Sequence, residues 1–234
     1  MKPEIQNSSK GLFFALIILA SWIGSLIFLL NLNLENFTFV ISVGILLQTF
    51  LYTGIFITAH DSMHRTVFPK NLKINNLIGS ISLTFYALFS FKSLREKHWE
   101  HHRNPVSGND PDFHDGKNDS FFTWYWKFFT TYISWKQILG MAIIFNIFEH
   151  LIKIDFWNLI LFWILPSILS TFQLFYFGTF LPHRKLVKPF KDSHNARSND
   201  YSTLWSFLTC YHFGYHWEHH EFPNIPWWHL PKMR

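Results

Sequence analysis

The chain has 234 residues, 49% hydrophobic and 20% aromatic, more apolar surface than a soluble domain of this length buries, so the excess faces lipid. A single cysteine, Cys210, excludes an intrachain disulfide and any cysteine-ligated cluster. The net charge of +5 does not point to nucleic acid, because Lys and Arg sit in loops between apolar runs, where they meet anionic headgroups.

Residues 11–30 are uncharged and long enough to span a bilayer, and no small-residue cleavage site follows them, which predicts a retained transmembrane helix. A second uncharged run, 37–59, ends at His60, and His64 follows one turn later, so a histidine pair hangs from the end of a span. Residues 74–91 pose a parity problem. A crossing there would separate His60 and His64 from His98, His101 and His102 by about 30 Å. A re-entrant or in-plane segment avoids this, and Gly79, Ser80, Ser82 and Thr84 make the stretch less lipophilic than the first two.

From residue 98 to 135 the chain mixes polar and aromatic residues, with turns at Asn104-Pro105 and Asn109-Asp110-Pro111-Asp112, and reads as a cap over the membrane face. The apolar runs 138–148 and 156–181, the second with Pro166 able to kink it, predict a helical hairpin that returns His183 to the side of His60. The expectation is one all-α membrane domain over 1–234, with about four transmembrane helices and a histidine-rich cap. Of the 20 Lys and Arg, only Lys153 falls in a far-side loop, so the positive-inside rule assigns the cap and both termini to the cytoplasm.

The histidines carry the chemistry. The string H-W-E-H-H occurs twice, at His98-Trp99-Glu100-His101-His102 and at His216-Trp217-Glu218-His219-His220. In a chain with 14 His, H-x-x-H-H arises by chance roughly 0.05 times, so the repetition is functional. A helix through residues 211–223 would put His212, His216, His219 and His220 on one face. Eight imidazoles in three motifs (His60, His64, His98, His101, His102, His216, His219, His220) exceed the needs of one tetrahedral zinc and indicate two metal ions. Nitrogen donors suit iron, copper or zinc, and neutral imidazoles around open positions favour redox iron. His183, at the end of a span, and His212 are further candidates, His212 equally as ligand or as support. Asp61, Glu100 and Glu218, each within or next to a motif, are read either as acceptors for ligand N–H groups or as solvated charges. His114, His150, His194 and His229 are left outside the metal set.

These boxes and their order resemble the membrane-bound di-iron superfamily of fatty-acid desaturases, alkane hydroxylases and carotenoid oxygenases. The strings Phe56-Ile57-Thr58-Ala59-His60-Asp61-Ser62-Met63-His64, Asp110-Pro111-Asp112-Phe113-His114, Phe177-Gly178-Thr179-Phe180-Leu181-Pro182-His183 and the tail from Tyr211 to Pro223 with Pro226-Trp227-Trp228-His229-Leu230-Pro231 resemble the bacterial and cyanobacterial β-carotene ketolases. Ser62 stands where that family usually has alanine, and His229 where many members have glutamine. The resemblance implies two irons, O₂ as co-substrate, and oxidation of the ring methylene at position 4 through a geminal diol, taking β-carotene to echinenone and canthaxanthin. It also implies an electron donor such as ferredoxin, a carotenoid delivered from membrane lipid, and His183 as a ninth ligand. Two rivals remain: a fatty-acid desaturase or carotenoid hydroxylase with the same metal, and a histidine-rich metal carrier or haem protein. A carrier should place ligands near mid-membrane, whereas these sit at span ends or outside spans.

Overall fold

Uncharged runs become long helices, because in lipid only a helix satisfies its own backbone. The computed structural model describes residues 9–35, 38–114, 116–186 and 189–234; Lys2, Phe37 and Lys188, which enter the sequence reading, lie outside them. Among the described residues, three helices are long and apolar enough to cross a membrane: α1 (Lys10–Leu30), α2 (Thr38–Met63) and α7 (Phe156–His183). Helix α1 buries Ile18, Trp22, Leu26 and Leu29 along one stripe and exposes Phe13, Ile17, Ile27 and Phe28 on the other side, the pattern of a span with one face to protein and one to lipid.

Between these run two bent pairs. Helices α3 (Leu72–Ala87) and α4 (Phe91–Arg103) meet at 98°, and α5 (Phe121–Tyr132) and α6 (Trp135–Leu151) at 82°. Counting each pair as one span raises the total from three to five, and the expected four falls within that range. The first bend has local causes. Leu88 adopts a left-handed conformation (φ 57°) that ends α3, and the Ser90 side chain accepts the Ser93 N–H to start α4. At 16 residues α3 is about 24 Å long, short of a bilayer core, and Asn75 Nδ2 donates to Ser62 O (2.8 Å), tying it to the histidine end of α2. By length and composition the bent pair reads either as one broken span or as the re-entrant segment that the parity argument expects over residues 74–91. The second bend begins α6 with a Ser134/Gln137 capping box.

Helix α2 is central, packing on α1, α3 and α7. Inside the bundle, Thr53 Oγ1 donates to Gln173 Oε1 (2.6 Å) and lies 3.0 Å from Ser170 Oγ, which accepts from Tyr86 OH (3.1 Å). This buried chain links α2, α3 and α7. At the opposite end, Asn158 Nδ2 reaches the carbonyls of Leu29, Leu30 and Leu32 (3.1, 3.1 and 2.8 Å), satisfying the frayed end of α1.

Helix α7 contains two π turns, Ile160–Ile164 and Tyr176–Phe180, each directly followed by a Leu-Pro pair, Leu165-Pro166 and Leu181-Pro182. Proline has no N–H to give, and a widened turn beside it absorbs the missing bond. The break expected at Pro166 takes this form. The segment packed over the histidines comprises residues 104–114 and 116–120, α5 and residues 189–234, including α8 (Thr203–Cys210) and α9 (His216–Glu221).

Candidate metal centre

Four elements deliver nine imidazoles to one place. Helix α2 ends with His60 and His64 one turn apart, α4 carries His98, His101 and His102, α7 ends at His183, and α9 presents His216, His219 and His220. Their ring nitrogens gather into two groups of four, His60/His64/His98/His219 and His101/His183/His216/His220, with the donor atoms of each group within 4.8 Å of one another. His102 lies between, its Nε2 3.0 Å from His219 Nε2 and its ring stacked on His220 at 4.3 Å.

Opposed nitrogens are the signature of this centre. Nε2 atoms face each other in His64–His98 (2.6 Å), His101–His220 (3.1 Å) and His216–His220 (3.1 Å). Burial, together with the neighbouring imidazoles, pushes His219 and His220 well below the ordinary histidine value of 6.5, so these rings are neutral and keep a lone pair. Two rings have their hydrogen fixed on the outer nitrogen: His101 Nδ1 donates to Asp110 Oδ1 (2.9 Å), and His183 Nδ1 to the Asn195 carbonyl (2.8 Å). Their Nε2 lone pairs then point inward. His183 Nε2 and His60 Nε2 are buried without a hydrogen-bond partner. Converging lone pairs repel unless a cation lies between them, so the donor set fits two all-nitrogen metal ions.

His212 corrects the helical expectation. The helix starts at His216, and Tyr211 and His212 both take left-handed conformations (φ 48° and 62°), reversing the chain after α8. The His212 ring stacks on Tyr215 at 5.7 Å and belongs to neither quartet. Among the predicted helpers, Asp61 Oδ1 is 3.4 Å from His60 Nδ1, while its Oδ2 accepts from Trp227 N (3.1 Å). The Glu218 carboxylate accepts from the Ser198 hydroxyl rather than from an imidazole, and Ser198 also accepts the Trp217 N–H (3.1 Å). Glu100 is exposed, and its carboxylate pairs with no histidine among the described residues.

The carboxylate that does brace a ring, Asp110, enters the sequence reading as part of a turn and of a family-like string, with no role assigned to it. Burial works against its ionisation, but the hydrogen bond from His101 and the N–H groups of Val106 and Asp112 outweigh it, holding the carboxyl below its ordinary 3.8. Outside the centre, His150 is exposed beside Glu149, His114 accepts from Gly116 N (2.9 Å), His229 packs near Trp228, and His194 pairs with Glu221 (2.9 Å).

A narrow cavity of about 80 Å³ opens from the centre between α2, α4, α5 and α7. His60, His98, His101 and His216 line it together with Phe56, Met63, Phe89, Leu94, Phe128 and Leu174. Gly178, in a π turn, leaves room for Phe213: a Cβ there would lie 2.0 Å from the Phe213 ring, which packs on His60 at 4.9 Å and on His216 at 5.2 Å. Such a slot admits a thin apolar molecule end-on and brings its tip to the histidines.

Residues 35–149 and 119–234 match the family described as fatty acid desaturase. A β-carotene ketolase of Paracoccus sp. (strain N81106 / MBIC 01143) is 46% identical over 187 residues, 80% of this chain and 76% of that protein. β-Carotene 4-ketolase 3 of Haematococcus lacustris is 43% identical over 191 residues, 79% of this chain, and a zeaxanthin 4-ketolase of Chlamydomonas reinhardtii 43% over 192 residues, also 79%. The chain spans 59% and 42% of the length of these two algal relatives.

Proposed function

This chain belongs to the fatty acid desaturase family, with β-carotene ketolases among its relatives, and on that premise we propose that it is a membrane-bound oxidoreductase that introduces keto groups at positions 4 and 4′ of β-carotene, by way of echinenone to canthaxanthin. One observation carries the reading: a narrow, aromatic-lined cavity with four of the clustered imidazoles in its lining. A hydrocarbon that partitions into lipid enters such a cavity at no desolvation cost, and its ring end meets the metal ligands.

In this reading His60, His64, His98, His101, His102, His183, His216, His219 and His220 hold two iron ions, and the iron supplies activation of O₂ and oxidation of the ring methylene. The protein's own groups do the rest. Asp110 and the Asn195 carbonyl fix the tautomer and direction of His101 and His183. The phenyl walls keep water from the reacting carbon, and Phe213, seated against Gly178, buttresses His60 and His216. The basic residues of the cap support a cytoplasmic position for the metal centre and both termini, where an electron donor such as ferredoxin would have access.

Expression in cells that accumulate β-carotene, with pigments resolved by absorbance and mass, tests the proposal. Echinenone and canthaxanthin are the expected products. Unchanged β-carotene together with newly desaturated acyl chains would replace this reading with that of a lipid desaturase.

A further inference from the structure

Besides the histidines, the cavity wall contains a polar pair that a hydrocarbon cannot use. Asp112 and Tyr132 both line the cavity, and the Tyr132 hydroxyl donates to Asp112 Oδ1. The pair sits beside the metal ligands, since Asp112 Oδ2 is 3.8 Å from Nδ1 of His101. It is also rigid. The Asp112 carbonyl accepts from Trp124 Nε1 (2.7 Å) and its N–H donates to Asp110 Oδ1 (2.8 Å). Lys97 lies 4.9 Å from the centroid of the Tyr132 ring, anchored to the Thr131 carbonyl.

Enclosing these groups against an apolar substrate leaves hydrogen-bonding capacity unused, which costs free energy. The phenol oxygen, having given its hydrogen to Asp112, keeps lone pairs that can accept one from a guest. β-Carotene has no hydrogen to offer. The alcohol formed by a first oxygenation at carbon 4 does, and it arises in this same cavity. We propose that Tyr132, held by Asp112, is a positioning residue that binds the 4-hydroxy intermediate and turns the hydrogen remaining on carbon 4 toward the metal centre. The pair thereby decides that the product is a ketone and not an alcohol. The inference rests on the ketolase reading above and adds to it the group that retains the half-oxidised ring.

The test compares the wild type with Tyr132→Phe in β-carotene-producing cells, measuring the ratio of 4-hydroxy to 4-keto carotenoid, total β-carotene consumed, and iron per purified protein. Loss of one hydrogen bond to the intermediate should raise the hydroxy-to-keto ratio by about fivefold or more, with consumption and iron content within about twofold of wild type. Asp112→Asn, whose amide oxygen still accepts from the phenol, should shift the ratio less. With 4-hydroxy-β-carotene supplied as substrate to membranes, Tyr132→Phe should raise KM for it by a larger factor than KM for β-carotene. An unchanged ratio, or equal losses in both steps, overturns the proposal while leaving the ketolase reading intact. A wild type that makes no ketone overturns that reading and this inference with it.

Discussion

The two histidine quartets are built from the same residue type but supported differently. In His101/His183/His216/His220, two of the four rings have their outer hydrogen tied to an acceptor at 2.8–2.9 Å, one a buried carboxylate and the other a backbone carbonyl. In His60/His64/His98/His219, the corresponding support is a 3.4 Å approach of His60 to Asp61, whose other oxygen is committed to Trp227, and His64 Nδ1 is buried without a partner. In the first quartet His101 and His183 are oriented before a metal arrives, while Nδ1 of His216 and His220 is buried without a partner; the second quartet relies on helix geometry, two rings one turn apart at the end of α2, to aim its nitrogens. Pre-orientation lowers the ordering cost of binding, so the two positions should differ in affinity.

The largest effect should come from removing a braced ring. His183→Ala should lose iron and ketone formation by about 100-fold, the scale expected when a ligand disappears, while His194→Ala, whose ring pairs with Glu221 at the rim, keeps most of both. Iron per protein and pigment yield measure this; a His183→Ala protein that holds its iron would dissolve the braced quartet as a unit. Next in size, Asp110→Asn should weaken retention of one of the two proposed metal ions by about 10-fold in a chelator titration, and Asp61→Asn by less than about threefold. Equal losses would erase the asymmetry. Smallest of all, Glu100→Gln should change iron content and activity by less than about twofold, since its carboxylate is exposed.

What the sequence exposes and conceals follows the same division. The boxes were legible because helical spacing of three and four residues aligns ligands on one face, and a bend in the chain between His64 and His98 was legible because histidines on either side of it must meet. Asp110 was not, because it comes to His101 through a loop, where no periodicity applies. Nor was the brace on His183, since any residue at position 195 presents a carbonyl. His212 was misplaced because left-handed backbone at two consecutive non-glycine residues, Tyr211 and His212, leaves no compositional mark. Glu100 repeats the local string of Glu218 yet is exposed where Glu218 is buried, so identical strings on two helices do not have identical surroundings.

The π turn at Tyr176–Phe180 acts as a phase shifter. Leu174 in the cavity wall and His183 at the metal centre are nine residues apart, which on an ideal α-helix sets them about 180° out of phase. One additional residue in the widened turn takes up about 100° of that difference, so a single helix can face the substrate slot with one segment and the metal with the next. Deleting any one residue between 176 and 180 would return the helix to uniform pitch, and the eight residues then separating Leu174 from His183 would keep the two in about the same phase, so the His183 imidazole would still face its quartet.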